Sequence, residues 1–233
     1  FITTPEETAQ NASFKEYDKI KNFQRSAHAI FGMELDLPKN VTLNIEPYYK
    51  YFWHLLSVNE YKQFSSDPDY LIENGDAYGL DILAKWQWKG LYLYATYSLA
   101  WTHRNNGLQI YAPYFDRRHN VNLIASYDFG KNRSWEVSAR WNFGSGFPVT
   151  QTQGFYESNP FANGINTNYI TTNGTLGVLY STTVNGGRLP IYHRLDLAIK
   201  KIFNIKDKLK IEIDASISNV YDRQNIFYFD RVT

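Results

Sequence analysis

Residues 209–219 read LKIEIDASISN, and their side chains alternate strictly between apolar and polar. The odd positions are apolar: Leu209, Ile211, Ile213, Ala215 and Ile217. The even positions are polar or charged: Lys210, Glu212, Asp214, Ser216 and Ser218. A period of two places the two sets on opposite faces of a β-strand. One face of this strand therefore meets an apolar environment, and the other meets water.

The same alternation recurs along the rest of the chain. Seven further segments show it, at about 26–35, 41–51, 80–88, 91–101, 120–129, 135–143 and 192–201. The segment 135–143 is typical, because all of its odd positions are apolar. No segment between them has the three-to-four-residue apolar spacing of an amphipathic helix. The sequence therefore predicts an all-β, antiparallel fold built from about eight strands.

The connections between these strands alternate in length. The first, third, fifth and seventh strands are followed by the short turns DLPKN, KG, GKNRS and NIKDK, whereas the intervening connections span about 57–76, 104–117 and 145–188. All short turns then lie at one end of the sheet and all long connections at the other. Bacterial outer-membrane barrels are built this way, with short periplasmic turns and long extracellular loops. We therefore predict a segment of an antiparallel transmembrane β-barrel in the outer membrane of a Gram-negative bacterium.

Aromatic residues agree with a membrane location. They make up 17% of the chain, including 19 Tyr and 6 Trp, and Tyr and Trp favour boundaries that are apolar on one side and wet on the other. Trp86, Trp88 and Trp135 lie beside short turns, where a periplasmic girdle is expected. A second group lies near the long connections: Tyr51, Phe52, Trp53 and Trp101. In this interpretation the isoleucines of 209–219 face lipid, and the charged residues between them face a water-filled lumen.

Charge and composition narrow the range of functions. The net charge is +1, so no bulk field attracts nucleic acid. The chain has no cysteine, which excludes disulfides and cysteine-based metal sites within it. Its histidines have no spacing typical of a metal site: His28, His54, His103, His119 and His193. We therefore expect no catalytic residues, no metal, no cofactor and no enzyme activity.

Two groups of residues are candidates for contact with a transported substrate. Arg117 and Arg118 lie at the lip of a long connection, where they either bind an anion or form a salt-bridged strand start. Four aromatic residues of the connection 145–188 are suited to stacking on a sugar or an aromatic siderophore: Phe155, Tyr156, Tyr169 and Tyr180. Arg194 and Asp196, two positions apart on one face, are interpreted as part of the wall.

Five phrases of the chain carry a family resemblance: DAYGLDILAKW (76–86), YFDRRHNVNLIASYDF (114–129), SARWNFGSGFPVT (138–150), YHRLDLAIKKIF (192–203) and SISNVYDRQNIFYFD (216–230). Their order and spacing resemble the C-terminal barrel of TonB-dependent outer-membrane transporters, especially those of Bacteroidetes. The resemblance implies that the eight strands correspond to about strands 14–21 of a 22-stranded barrel. Residues 1–233 would then form part of one barrel domain, with 1–22 in an extracellular loop and with the plug domain and last strand absent.

The resemblance also implies a role in import. In this family a scarce nutrient binds to the extracellular loops and the plug, and the TonB energy-coupling complex then acts through the plug to open the lumen. The expected partners are TonB, membrane lipid, lipopolysaccharide, the remainder of the same barrel and a surface lipoprotein, but no nucleic acid. Two alternatives share much of the pattern: a passive outer-membrane porin and a soluble carbohydrate-binding β-sandwich.

Overall fold

The computed structural model describes residues 23–59, 62, 64–157, 176–205 and 209–228. These residues form fourteen strands, one 3₁₀ turn at Lys131–Arg133 and no α-helix. The strands are β1 (Arg25–Ile30), β2 (Met33–Leu37), β3 (Val41–Val58), β4 (Tyr70–Trp88), β5 (Leu91–Asn105), β6 (Ile110–Tyr111), β7 (His119–Phe129), β8 (Trp135–Gly144), β9 (Pro148–Val149), β10 (Thr152–Glu157), β11 (Leu176–Tyr180), β12 (Gly187–Arg188), β13 (Tyr192–Ile205) and β14 (Leu209–Ile217). Nowhere in these ranges is there a helix with the length and apolar character needed to span a bilayer.

The main sheet follows the order of the sequence. Its path is β1-β3-β4-β5-β7-β8-β13-β14, with β2 beside β3 and β6 beside β5. Every described pairing along this path is antiparallel. These elements are the eight predicted strands, so the all-β antiparallel barrel segment is confirmed. A β-sandwich would instead divide the strands between two packed sheets with Greek-key connections.

The strand registers keep one face of the sheet apolar from edge to edge. Ala95 lies opposite Ala84 and Leu123, and Leu197 lies opposite both Ala139 and Ile217. We call this side the apolar face and the opposite side the polar face. A slip of one residue at any ladder would interchange the two faces from that strand onward. The alternation seen in single strands is therefore the property of the whole wall.

The apolar side chains of the wall are not buried within the described chain. Leu189 is the one buried hydrophobic residue among the described positions, whereas Ile213 and Ile217 are 58% and 66% exposed. The apolar face is therefore not covered by other described parts of this chain. Lipid covers such a face in a transmembrane barrel wall, whose backbone groups are hydrogen-bonded between strands.

The first predicted strand, 26–35, is interrupted at Phe31 and Gly32. The register continues across the gap, because Ile30 lies opposite Tyr48 and Met33 lies opposite Ile45. The Phe31 N–H donates to the carbonyl of Pro47 at 3.1 Å, but proline has no N–H with which to return the bond. One ladder bond is therefore missing, and a single predicted strand becomes β1 and β2.

The predicted connection 57–76 is shorter than expected, because β3 and β4 continue past the points where alternation breaks. In β3 the register shifts between Phe52 and Leu55, and His54 adopts a φ of 55°. This β-bulge changes the phase of the pattern but not the pairing, so β3 and β4 leave only 59–69 between them. The predicted connection 145–188 likewise contains β9, β10, β11 and β12, paired as two small sheets.

Candidate functional site

Two buried carboxylates lie at the end of the sheet from which the long connections emerge. Glu73 is 2% exposed and lies on β4, while Asp116 is 1% exposed and lies between β5 and β7. A buried carboxylate is stable only when charged or hydrogen-bonding partners surround it. These two residues therefore mark the place where the fold has built a polar site.

Asp116 joins the connection after β5 to the connection after β8. Its Oδ1 accepts the N–H of Thr102 at 2.9 Å, and its Oδ2 accepts from Nη2 of Arg188 at 2.5 Å. The Arg188 guanidinium also donates to the carbonyl of Gly146 at 3.1 Å. Arg118 supplies a second cation 3.7 Å from Oδ2. The carboxylate thus accepts a backbone N–H of β5 that would otherwise bond to a neighbouring strand, and its bond to Arg188 anchors β12.

Further hydrogen bonds join the same two connections. The Gln109 Nε2 donates to the carbonyl of Thr182 at 3.3 Å, and its Oε1 accepts the N–H of Val184 at 3.3 Å. The Asn185 Nδ2 donates to the carbonyl of Ala112 at 2.8 Å. Because these bonds span more than seventy residues of sequence, they fold the connections over the end of the sheet.

Glu73 lies in the wall of a cavity beneath this cover. The Tyr111 hydroxyl donates to its two oxygens, at 2.7 and 2.9 Å, and Arg104 lies 3.6 Å from Oε2. The cavity has a volume of about 490 Å³ and is also lined by Phe115 and Ser57. The Ser57 Oγ is buried and has no hydrogen-bond partner among the described residues. The cavity therefore combines a fixed charge pair, an unused hydroxyl and apolar surface.

The arginine side chains around this site outnumber its two buried carboxylates. Arg104, Arg117, Arg118 and Arg188, which we call the arginine cluster, surround Asp116 and Glu73 or lie beside them. The Arg117 guanidinium lies 4.2 Å from the ring centroid of Phe147, and its Nε has no hydrogen-bond partner in the described chain. Burial lowers the pKa of Arg117, because the guanidinium loses hydration there. The cluster favours anionic groups over cationic ones.

Ion pairs continue along the polar face of the wall. Arg194 lies 2.8 Å from Asp196, and Lys200 lies 3.0 Å from Glu136. Asp196 also accepts the N–H of Asn219 at 2.9 Å. The Arg194–Asp196 pair thus holds the chain just beyond β14 in place. The polar face presents hydrated charges that are largely neutralised by one another.

The structure separates the predicted contact residues into two sets. Phe155 and Tyr156 on β10 and Tyr180 on β11 are 58%, 50% and 48% exposed, within one hairpin. Arg117 and Arg118 lie beside the start of β7, where they pack over rings. The two sets therefore belong to different structural elements. Tyr169 falls outside the described residues.

The sequence did not identify the partners of the buried carboxylates. Arg188 follows Asp116 by 72 positions, and Tyr111 follows Glu73 by 38. One local signal was present in the phrase Gly144-Ser145-Gly146. A Cβ at Gly146 would lie 1.6 Å from the carbonyl oxygen of Leu189, so this glycine marks the close approach of the chain beside Arg188.

The site has no evident metal-binding character. Across the described residues, no group of three or more His, Asp or Glu side chains is arranged to hold a metal ion. The oxygen atoms of Asp116 and Glu73 are instead occupied by arginine, tyrosine and backbone donors.

Comparison with solved structures agrees with this architecture. The chain is similar to the ferripyoverdine receptor of the outer membrane of Pseudomonas aeruginosa, solved bound to ferripyoverdine, with a TM-score of 0.54 and 12% identity. The match covers 86% of this chain and 24% of the receptor. No family profile and no curated protein matches the chain. At this identity the likeness concerns the fold alone: the chain folds as a portion of a receptor-like outer-membrane β-barrel.

Proposed function

We propose that the chain forms wall and extracellular connections of a TonB-dependent transporter that imports a scarce nutrient across the outer membrane of a Gram-negative bacterium. The observation that carries this proposal is the continuous register of the sheet, which separates an apolar face from a charged face across eight strands. The likeness to an outer-membrane receptor supports it. In this proposal the chain is a section of one barrel domain, corresponding to about strands 14–21 of a 22-stranded barrel.

The covered end of the sheet would then face the outside of the cell, with 1–22 in another extracellular loop. The exposed aromatic hairpin of β10 and β11 offers stacking surfaces to an arriving substrate. The arginine cluster would attract an anionic part of it. Phe155, Tyr156, Tyr180, Arg117 and Arg118 are accordingly proposed substrate contacts.

Several partners follow from this role. The TonB complex would act through a plug domain encoded outside this chain, and the remaining strands of the barrel would pair with the edges β1 and β14. Lipid and lipopolysaccharide would cover the apolar face, and a surface lipoprotein would cover the extracellular loops. In this proposal the chain has no enzymatic role.

The decisive experiment is to isolate the native protein and measure its extraction, intact mass and conductance. We expect a detergent-requiring protein several times heavier than 27.2 kDa, with a plug domain upstream and negligible conductance in planar bilayers until the plug is removed. Steady conductance of the intact protein would instead favour a passive porin. Extraction by aqueous buffer alone would refute the membrane assignment.

Substrate contact is tested separately by removing the exposed rings. Phe155→Ala/Tyr156→Ala should weaken binding of the native substrate, because the variant lacks the aromatic faces on which a substrate stacks. The barrel should stay folded, because both side chains are exposed and lie outside the main sheet. Ile191→Ala, which removes another side chain that is 48% exposed in the same long connection, is the matched control. Equal binding by the two variants would contradict the assignment.

A further inference from the structure

The apolar face contains a groove whose floor is made of alanines. Ala84, Ala95, Ala125 and Ala139 come from four neighbouring strands, with Ala84 opposite Ala95 and Ala125 opposite Ala139. Their methyl groups lie lower than the large side chains around them. The result is a recess of about 410 Å³ in a surface that otherwise carries leucine, isoleucine and aromatic residues.

Aromatic and leucine side chains form the walls of this groove. Trp86 lies opposite Leu93 on one side, and Leu123 lies opposite Trp141 on the other. The Trp86 Nε1 donates to the carbonyl of Lys39 at 3.1 Å, which fixes the orientation of its ring. Its ring also stacks on Trp88 at 6.4 Å between centroids. The groove is therefore preformed rather than created by an occupant.

The short turns beside the groove are uniformly basic. The described turns 38–40, 89–90 and 130–134 contain Lys39, Lys89, Lys131 and Arg133, and none of these turns contains a carboxylate. The Lys89 Nζ lies 4.8 Å from the ring centroid of Trp88. A column of side chains thus runs from the cation of Lys89 through Trp88 and Trp86 to the alanine floor.

The acidic residues near these turns lie on the other side of the sheet. Asp36 pairs with Thr42 and Asp128 pairs with Glu136, at positions that belong to the polar face. On the apolar face at this end, Lys201 adds another cation, 4.4 Å from the ring centroid of Trp135. The rim that meets the lipid headgroups is therefore positive, with aromatic rings directly beneath it.

We propose that the alanine groove binds an acyl chain of an anionic phospholipid whose phosphate lies at Lys39 and Lys89. The proposal rests on the membrane location proposed above. Lipid chains are as apolar as leucine, so burial in the groove gains little hydrophobic energy over the bulk bilayer. Shape therefore selects the chain, while charge selects the headgroup. Each lysine beside the headgroup raises the affinity for an anionic lipid by roughly fivefold.

The groove is tested with the intact protein in nanodiscs of phosphatidylglycerol and phosphatidylcholine. Native mass spectrometry after release counts the lipids that stay bound, and we expect the wild-type protein to retain phosphatidylglycerol. The variant Ala95→Leu/Ala125→Leu fills the groove with apolar atoms and should lose this lipid. Ala29→Leu, on the same face in β1, adds the same volume per substitution outside the groove, and this variant should retain the lipid.

The headgroup contact is tested by removing two charges. Lys39→Gln/Lys89→Gln should lower the preference for phosphatidylglycerol by roughly twenty-fivefold, about fivefold for each lysine. Lys50→Gln removes a charge from the polar face of β3, outside the groove, and should leave the preference unchanged.

Two results would overturn this proposal. Equal lipid retention by the groove-filled variant and Ala29→Leu would exclude the acyl-chain site, and an unchanged headgroup preference without the two lysines would exclude the phosphate contact. Neither result would contradict the proposed membrane function, because the protein would still require detergent for its extraction. A protein that needs no detergent would instead contradict the proposed membrane function itself, so the two failures are distinguishable.

Discussion

Replacing Asp116 with alanine should release the connection that carries Arg188. The Asp116 carboxylate is fully buried, so its removal leaves the N–H of Thr102 and the Arg188 guanidinium without their acceptor. Breaking a buried ion pair by removing one partner costs about 3–5 kcal/mol. Arg188 is 36% exposed, and water replaces part of its lost interaction, so the lower end of this range applies. About 3 kcal/mol corresponds to a roughly hundredfold shift in the opening equilibrium of the connection.

The chain has no cysteine of its own, so maleimide labelling reports a cysteine introduced into it once any cysteines in the rest of the protein are replaced by serine. Leu189 is 7% exposed, and its N–H donates to the carbonyl of Phe147 at 2.8 Å. A Leu189→Cys reporter is therefore protected from maleimide while the connection stays in place. We expect Asp116→Ala to raise the labelling rate of this reporter roughly a hundredfold. Asp116→Asn keeps an oxygen acceptor for Thr102 and should raise it less.

An exposed ion pair supplies the control. Asp69 pairs with Lys62, and their side chains are 42% and 32% exposed, so Asp69→Ala should cost less than about 1 kcal/mol. Unchanged heat-modifiable gel mobility in both variants would show that the wall itself remains folded. A labelling rate for Asp116→Ala equal to that for Asp69→Ala would refute the reasoning, because the buried carboxylate would then contribute no more than a surface one.

Three further predictions concern the wall. Gly79→Ala places a Cβ 2.4 Å from the carbonyl oxygen of Leu99, so thermal denaturation should show that the free energy of unfolding falls by about 1–3 kcal/mol. Gly32→Ala, whose new Cβ would meet its nearest atom at 3.8 Å, should show no such loss. Equal losses in the two variants would contradict the packing argument. Leu197→Lys, near the middle of β13 on the apolar face, should impair folding into liposomes by about 2–4 kcal/mol, because a lysine there lies near the bilayer midplane. Ser216→Lys on the polar face should fold normally, and the reverse order would exchange the two faces. Pro47→Val supplies the backbone N–H that proline lacks. The amide introduced at position 47 should therefore resist hydrogen exchange as the amides of its neighbours do. Rapid exchange at this amide would show that proline does not cause the gap between β1 and β2.

The wall could be predicted from the sequence because its information is local. Each strand carries its own alternation, and a period of two gives both the strand and the orientation of its faces. The short turns then determine which strands are neighbours. The prediction was wrong in detail where one residue disrupts the pattern locally: Pro47 removes a donor, and the bulge at His54 changes the phase.

The covered end of the sheet could not be predicted in the same way. Asp116 stands in the sequence beside Arg117 and Arg118, which directs attention to its immediate neighbours. Its shortest contact is nevertheless with Arg188, 72 positions away. Contacts between irregular connections follow from how the chain returns across the sheet, and no periodicity encodes that path. The exposed hairpin of β10 and β11 was missed because it is short and lies inside a connection rich in polar residues.

The closed base of that hairpin makes it a replaceable module. Thr152 pairs with Tyr180, and the N–H of Ser181 donates to the carbonyl of Gln151 at 2.8 Å, so the chain enters and leaves at neighbouring points. A segment with adjacent ends can be exchanged for one of another length without moving the strands that carry it. Large sequence changes between these two points should therefore be tolerated by the wall. The same site would accept an inserted epitope or an affinity tag.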